Sequence, residues 1–353
     1  MNPLTSLLPL LLGALLVTAL SIPPIKRLAW RLDLVDDPKT GEHKSHQRPT
    51  PYGGGLAIFL GALLALVAAT WLFQPLSDAY GTIAPAFAGA TALLAVGLLD
   101  DWRGLPTLPR FLIQLAVTAV LVAGWPEFRL ALFADAPLLI APLAALWIAA
   151  MTNAFNFLDN MDGLSAGVAG IALLLLGGMG LASGHLPGAV LSLVLAGAVA
   201  GFLFYNFPPA TLFMGDAGGL FLGFLASGAS VLLSNHFVQV HPALDFAHRC
   251  APLLPLTVPL YDFLTVNIIR LRNGAPPWIG DNNHISHRLV RLGLSRRNAV
   301  LVIYAATLLT GLPGLLLVCF PSWNGWALLA AVCLAVLTVA ILDFSAFKRR
   351  RPA

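Results

Sequence analysis

The sequence predicts an all-α integral membrane protein with about eleven transmembrane helices in one polytopic domain, residues 1–353. Hydrophobic residues make up 58% of the chain and charged residues 10%, whereas a soluble domain carries about 25% charged residues. The apolar runs are long enough for helices to cross the hydrocarbon core, and they lack the alternation of barrel strands. We place the spans at residues 4–24, 54–73, 82–99, 109–125, 136–152, 164–183, 187–205, 217–235, 251–270, 299–320 and 324–343.

The distribution of Lys and Arg predicts the orientation of these spans. Of the 20 Lys and Arg residues, only Arg129 and Arg249 fall near even-numbered loops. Because cytoplasmic loops are enriched in Lys and Arg, we expect the N-terminus outside and the C-terminus in the cytoplasm. No Lys or Arg precedes the first apolar run, which we therefore interpret as a span and not as a cleaved signal peptide. The predicted cytoplasmic loops are residues 26–51, 100–108, 153–163, 206–216 and 271–298.

The first two of these loops carry ionisable residues suited to phosphate chemistry. Loop one contains Lys44 and His46, and the third span closes on the adjacent Asp100 and Asp101. Adjacent acids at a membrane boundary are costly unless a positive charge is shared between them. A hard divalent cation is the economical partner, because it binds carboxylate and amide oxygens together.

The third loop, NAFNFLDNMDG, places two carboxylates and three carboxamides between two apolar runs. Its polar residues recur at every third position: Asn153, Asn156, Asp159 and Asp162. Three of these side chains can share one face of a helix, and Gly163 permits a break that brings in the fourth. The alternative is a polar connecting loop whose Asn and Asp residues cap a helix start.

The last two cytoplasmic loops add an acid beside glycines and a group of basic residues. Asp216 opens the eighth span next to Gly215, where backbone amides and a helix N-terminus favour an anion. The final loop carries Asp281, His284, His287 and Arg288. Carboxylates with a metal on one side, and cations on the other, are what a phosphate-transfer site requires. For the basic residues alone, a topology signal is the alternative interpretation.

These motifs resemble the polyprenyl-phosphate N-acetylhexosamine-1-phosphate transferases. The matching segments are KxHxxPTPxGGG, GLLDD, NxxNxxDxxDG, FMGDAGGLFLG and DxxHIxH, in the family's order. The resemblance implies transfer of a sugar 1-phosphate from a UDP-N-acetylhexosamine to undecaprenyl phosphate in the membrane, with release of UMP. It also implies Mg²⁺, or Mn²⁺, held by Asn156 and Asp216.

The same resemblance implies roles for the remaining polar residues. Asp100 and Asp101 match the family's paired aspartates, assigned to lipid-phosphate activation or to metal-pyrophosphate positioning, and Asp159 and Asp162 match its second acidic pair. The substrate-binding candidates are Lys44, His46, Asn153, Gly215, Asp281, His284, His287 and Arg288.

The sequence His284-Ile285-Ser286-His287 resembles the N-acetylglucosamine branch of the family, which serves cell-envelope polysaccharides such as lipopolysaccharide O-antigen. The alternative is the UDP-MurNAc-pentapeptide phosphotransferase branch, which has consecutive histidines that this loop lacks. We expect Ser286→His to be tolerated, since the branch usually has His there. We also expect His284→Ala to weaken use of the UDP-sugar far more than folding.

A secondary transporter is the rival class of function. Transporters place ionisable groups near the bilayer midplane, and Asp262 in the ninth span is the nearest example here. From the sequence, Asp262 can either pair with a cation on the cytoplasmic side or line the site, and both alternatives stay open. No nucleic-acid motif is present, so we expect membrane lipids and not nucleic acid as partners. We expect the inner membrane as location, with the site facing the cytoplasm, and the sequence is compatible with a homodimer.

Overall fold

The computed structural model describes residues 3–38, 48–72, 77–130, 132, 136–278 and 281–349. Within these residues, eleven helices are long and apolar enough to cross a membrane, which confirms the predicted all-α multi-pass architecture. The long helices are α1 (Pro3–Arg31), α2 (Gly54–Leu72), α3 (Ser77–Arg103), α4 (Thr107–Gly124), α5 (Pro137–Leu158), α6 (Leu164–Ser183), α7 (Leu186–Asn206), α8 (Gly215–Val240), α10 (Thr257–Arg272), α12 (Arg296–Cys319) and α13 (Gly325–Arg349).

Short elements connect the long helices. They are an antiparallel pair of strands, β1 (Val35–Asp36) and β2 (Thr50–Pro51), the helices α9 (Phe246–Arg249) and α11 (Ile285–Arg291), and 3-10 turns at Pro126–Phe128 and Ala251–Leu256. The second 3-10 turn continues directly into α10, and the two together form one span. The backbone after β2 reaches across to the segment before α8, where Gly54 N donates to Phe213 O at 2.9 Å.

Several helices extend farther than the apolar runs predicted, at the end where the polar loops lie. Helix α3 includes Asp100 and Asp101, and α5 includes Asn153 and Asn156, which were predicted in loops. The physical reason is that membrane thickness limits the apolar run and not the helix, whose backbone hydrogen bonds continue into the polar region. Helix α5 ends where Asp159 leaves the helical conformation, with φ −78° and ψ 48°. The break therefore precedes Gly163.

Helix α8 is the centre of the bundle and packs against α2, α3, α5, α6 and α7. Every residue of its most apolar window is buried. Small residues permit the close approach of its neighbours: a Cβ at Gly97 would lie 2.4 Å from the Ala217 backbone, and a Cβ at Gly223 would lie 2.8 Å from Thr152 Cα. The polar ends of α3 and α5 are thereby held beside the N-terminus of α8.

Candidate active site

A cavity of about 600 Å³ lies beside the N-terminus of α8, and residues from all five predicted cytoplasmic loops line it. Ten of the predicted site residues line it: Asp100, Asp101, Asn156, Asp159, Asp162, Gly215, Asp216, Asp281, His284 and His287. The structure therefore gathers groups that are as far as 187 residues apart in sequence, from Asp100 to His287.

Asp101 binds the start of α8 through its carboxylate. Its Oδ1 accepts a hydrogen bond from Asp216 N at 2.8 Å, and its Oδ2 accepts one from Ala217 N at 3.2 Å. Gly215 has φ +76°, and a Cβ there would lie 2.4 Å from Asp101 Oδ2, so glycine makes this approach possible. An anion does lie at this helix N-terminus, as predicted, but it belongs to the protein. A substrate-binding role for Gly215 stays a prediction.

Arg110, in the first turn of α4, bridges Asp100 and Asp216. Its Nη1 atom donates to Asp216 Oδ2 at 2.7 Å and also to Asp100 Oδ2. Asp100 accepts a further hydrogen bond from Leu105 N at 2.6 Å. The adjacent aspartates thus have different partners within the protein, and a divalent cation shared between them stays a prediction. The backbone N–H groups at the start of α8 bind Asp101, and the Arg110 guanidinium binds Asp100.

The two predicted metal ligands, Asn156 and Asp216, both face the cavity from neighbouring helices. A Cβ at Gly219 would lie 2.6 Å from Asn156 Oδ1, and Gly219 is one helical turn after Asp216 on α8. Asn156 Oδ1 is buried and accepts no hydrogen bond from any residue that the structure describes. A buried carbonyl oxygen without a partner, close to a carboxylate, fits the oxygen ligands that Mg²⁺ and Mn²⁺ take.

The amide oxygen of Asn156 matters for this fit. Among the described residues, no three His, Cys, Asp or Glu side chains form a group that could hold a metal ion. The Asn156 amide oxygen adds to the Asp216 carboxylate the second protein ligand that the sequence motif implied, and a hard cation can complete its shell with water or substrate phosphate.

Asp159 and Asp162 follow the end of α5 and differ in their surroundings. Burial, with the neighbouring charges of Asp101 and Asp162, raises the pKa of Asp159 to about 7. Asp162 Oδ2 accepts a hydrogen bond from Ala210 N at 2.9 Å and so holds the loop that precedes α8. Asp159 is therefore suited to exchange a proton near neutral pH. Asp162 instead fixes the loop before α8 in place.

The final loop is fixed to α10 by a guanidinium–carboxylate pair. Arg270 Nε and Nη2 donate to the two oxygens of Asp281 at 3.2 and 3.3 Å. Burial disfavours the Asp281 carboxylate, but hydrogen bonds from Arg270 and Asn283 outweigh it and keep the pKa of Asp281 below its ordinary value. Burial, with the charges of His284 and Arg291, lowers the pKa of His287 to about 4, so His287 is neutral at physiological pH.

Two other residues of this loop are buried in contacts of their own. Arg288 donates to Asn283 O and, at 3.2 Å, to Thr265 Oγ1, and it is not among the residues that line the cavity. Ser286 is fully buried and donates to Asn160 Oδ1. This burial predicts a cost for Ser286→His, contrary to the expectation from the branch, because an imidazole is larger than the hydroxymethyl group it replaces.

Besides Arg288, three predicted substrate-binding residues lie away from the cavity lining or outside the described residues. Asn153 donates to Gln114 Oε1 at 2.7 Å and does not line the cavity. Lys44 and His46 lie outside the described residues. Substrate-binding roles for these residues and for Arg288 stay predictions.

Several lining residues were not singled out from the sequence as site residues. They are Asp36, Tyr52, Arg110, Phe157, Asn160, Asn206, Phe213, Arg270 and Trp278. Burial, with the charges of Asp36, Asp101 and Asp216, raises the pKa of Tyr52, so its phenol stays protonated. Tyr52 belongs to the matched segment PTPYGGG, which was the available signal. Asp36 is followed by Asp37, and this adjacent acidic pair was a signal of the same kind as Asp100 and Asp101.

Comparisons with known proteins agree on one family. Residues 83–234 match glycosyl transferase family 4. The chain is 38% identical over 299 residues to a probable undecaprenyl-phosphate N-acetylglucosaminyl 1-phosphate transferase of Bacillus subtilis (strain 168), covering 82% of this chain and 79% of the relative. It is 34% identical over 325 residues to a decaprenyl-phosphate N-acetylglucosaminephosphotransferase of Mycobacterium tuberculosis (strain ATCC 25618 / H37Rv), covering 86% and 80%.

A more distant relative carries a similar name. The chain is 28% identical over 316 residues to an undecaprenyl-phosphate alpha-N-acetylglucosaminyl 1-phosphate transferase of Escherichia coli (strain K12), covering 86% of this chain and 82% of the relative. The predicted resemblance is confirmed.

Proposed function

The chain belongs to glycosyl transferase family 4, and we propose that it transfers N-acetylglucosamine 1-phosphate from UDP-N-acetylglucosamine to polyprenyl phosphate. In the net reaction an oxygen of the lipid phosphate forms a bond to the β-phosphorus of the UDP-sugar. The bond from that phosphorus to the oxygen it shares with the α-phosphorus breaks, and UMP leaves. The observation that carries the proposal is that one cavity brings carboxylates together with Arg110, Arg270 and His284.

The charges of the cavity suit two phosphate-bearing substrates. Arg110 and Arg270 are cations at its lining, and His284 and the Tyr52 phenol add hydrogen-bonding groups. Asp159, with its raised pKa, is suited to hold or release a proton near neutral pH. Asn156 and Asp216 would hold Mg²⁺ or Mn²⁺, and the bound ion would offset negative charge on the diphosphate.

We assign the cavity to the cytoplasmic face of the inner membrane. The support is the distribution of Lys and Arg, which crowd the loops that line the cavity. UDP-sugars are cytoplasmic, charged and unable to cross a bilayer unaided, which agrees with this side. The transporter alternative loses its main support, because Asp262 is bound to His284 and Ile285 at the end of the bundle where the cavity lies.

The proposal is tested with the purified full chain in lipid nanodiscs that contain undecaprenyl phosphate and Mg²⁺. Equal amounts of UDP-N-acetylglucosamine and UDP-MurNAc-pentapeptide are offered together, and UMP and both lipid-linked products are quantified. We expect UMP in equal amount to a lipid-linked N-acetylglucosamine. Preferential use of the muramyl-peptide donor would assign the chain to the other branch, and uptake of a sugar nucleotide into vesicles without UMP would support a transporter.

A further inference from the structure

Asp262 is a fully buried carboxylate whose two oxygens both bind the start of α11. It has 0% exposure, its Oδ2 accepts from His284 Nδ1 at 2.7 Å, and its Oδ1 accepts from Ile285 N at 2.7 Å. Asp262 does not line the cavity, whereas His284 does. An ionisable side chain inside a span is costly unless it is paired. The contacts of Asp262 therefore act on the final loop and not on a substrate.

The contact with Asp262 determines which nitrogen of His284 carries a proton. An ionised carboxylate only accepts hydrogen bonds, so Nδ1 of His284 must donate. In neutral His284 the proton is then on Nδ1, and Nε2 keeps a lone pair. Nδ1 is occupied by Asp262, which does not line the cavity, whereas His284 does; the rest of the ring, with Nε2, is therefore the part available to the cavity. Phe157 packs edge-on against the ring at 6.3 Å between centroids, which limits its rotation.

We propose that Asp262 is a positioning residue, which holds His284 with Nε2 directed into the cavity toward the polar groups of the UDP-sugar. The identity of that substrate rests on the proposed function, but the arrangement of the two side chains does not. A carboxylate that orients an imidazole in this way fixes the tautomer and the aim of the second nitrogen. Nε2 then accepts from a sugar hydroxyl or amide N–H, or donates to phosphate when the ring is protonated.

A second contact explains why this position is rigid. Arg288, one turn along α11 from His284, donates to Thr265 Oγ1 at 3.2 Å, and Thr265 follows Asp262 on α10. Helix α11 is thus attached to the membrane-spanning helix α10 at two neighbouring points. Functional groups supported by a rigid element keep their geometry better than groups on a free loop. His284 accordingly takes its position from α10 and not from the loop that carries it.

The chain offers a matched control at the other end of the bundle. Asp245 Oδ1 lies 2.8 Å from His248 Nδ1 and accepts from His248 N at 3.1 Å, and His248 is buried like His284. Neither residue of this control pair lines the cavity. Loss of the control pair removes an Asp–His contact of similar geometry, with a more exposed acid, and leaves the cavity unchanged.

The test compares Asp262→Asn, His284→Asn, the double variant and Asp245→Asn in the donor assay. Asn at position 284 can keep a donor close to Asp262 but has no group at Nε2. We expect each single variant at the cavity to lower kcat/KM at least about tenfold, and the double variant to be no worse than about twofold below His284→Asn. Asp245→Asn should stay within about twofold of wild type. Losses that multiply in the double variant, or wild-type kcat/KM for Asp262→Asn, would overturn the proposal.

A spectroscopic measurement keeps the proposal testable if Asp262→Asn does not fold. In ¹⁵N-histidine NMR spectra of the wild-type protein, the His284 signals are those that disappear in His284→Asn. We expect the neutral ring to be protonated at Nδ1; protonation at Nε2 with a bare Nδ1 would contradict the inference. A wild-type protein that makes no UMP from UDP-N-acetylglucosamine would refute the proposed function, while the tautomer would still decide the Asp262–His284 arrangement.

Discussion

Arg110 Nη1 lies 2.7 Å from Asp216 Oδ2, and the same nitrogen contacts Asp100. The guanidinium is therefore a positive charge that two acids at the membrane boundary share. A divalent cation bound by Asp216 would compete with Arg110 for the same carboxylate. The structure thus couples a residue of α4 to the predicted metal site on α8.

We predict that Arg110→Gln makes the protein more dependent on Mg²⁺ for stability. Without the guanidinium, Asp100 and Asp216 face each other with no shared cation, so the melting temperature in EDTA should fall by several degrees. Added Mg²⁺ should raise the melting temperature of Arg110→Gln more than that of wild type. The exposed Arg103→Gln is the control, and an equal Mg²⁺ shift in all three proteins would contradict the competition.

Asp159→Asn should remove a pH-dependent loss of stability in Mg²⁺-free buffer. Burial, with the charges of Asp101 and Asp162, raises the pKa of Asp159 to about 7, above an unfolded value of about 3.9. The folded state therefore binds the proton more tightly, and stability falls as pH rises from about 4 to 7. Between pH 5 and pH 8 the wild-type melting temperature should drop by ~2 °C or more relative to Asp159→Asn. Parallel melting curves would show that Asp159 is ionised throughout.

Ser286→His should lower both stability and activity, although the resemblance to the N-acetylglucosamine branch favoured tolerance. Ser286 has 0% exposure and donates to Asn160, which lines the cavity. Overpacking in a tight interior typically costs about 1–3 kcal/mol. Ser286→Ala removes only the hydrogen bond and is the matched comparison. A melting temperature for Ser286→His equal to wild type would show that the loop adapts.

The spans were predictable because their length and apolarity follow directly from the thickness of the bilayer. The acids were predictable as a set, since clustered carboxylates at a membrane boundary are unusual. Their partners were not. Asp101 binds the backbone of α8, 115 residues away, and Arg110 was only one basic residue among many until α4 packed beside α3. The end of the apolar run also placed the end of α5 too early, because polar residues continue a helix as readily as they end it.

The orientation of the bundle can be tested by labelling of introduced cysteines. In a background without Cys250, Cys319 and Cys333, we compare Leu292→Cys, near the cavity end, with Ala243→Cys, in the predicted outer loop before α9. The Lys and Arg distribution predicts that a membrane-impermeant maleimide labels Ala243→Cys in intact cells and Leu292→Cys only after lysis. Labelling of Leu292→Cys in intact cells would reverse the assignment of the cavity to the cytoplasm.

His185, at the opposite end of the bundle from the cavity, should make the stability of the protein depend on pH below neutrality. It precedes α7, and its Nδ1 accepts a hydrogen bond from Gly188 N at 3.2 Å. Burial, with the charge of His236, lowers the pKa of His185 from 6.5 to about 4. The unfolded chain therefore binds the proton more tightly, so the stability from neutral His185 is complete above pH 6.5 and is lost as pH falls toward 4. Protonation also removes the acceptor that caps α7.

His185→Asn should reduce this loss of stability at acid pH, because Asn is a good cap at a helix start and does not titrate. Between pH 7 and pH 5 the wild type should lose about 1 kcal/mol more than the variant, after allowance for partial exposure of the ring. His241→Asn, on the same side of the bundle, serves as the control because its side chain makes no capping contact among the described residues. Stability is measured by thermal melting in the same nanodiscs. Equal losses of stability between pH 7 and pH 5 in wild type and His185→Asn would show that another group causes the pH dependence.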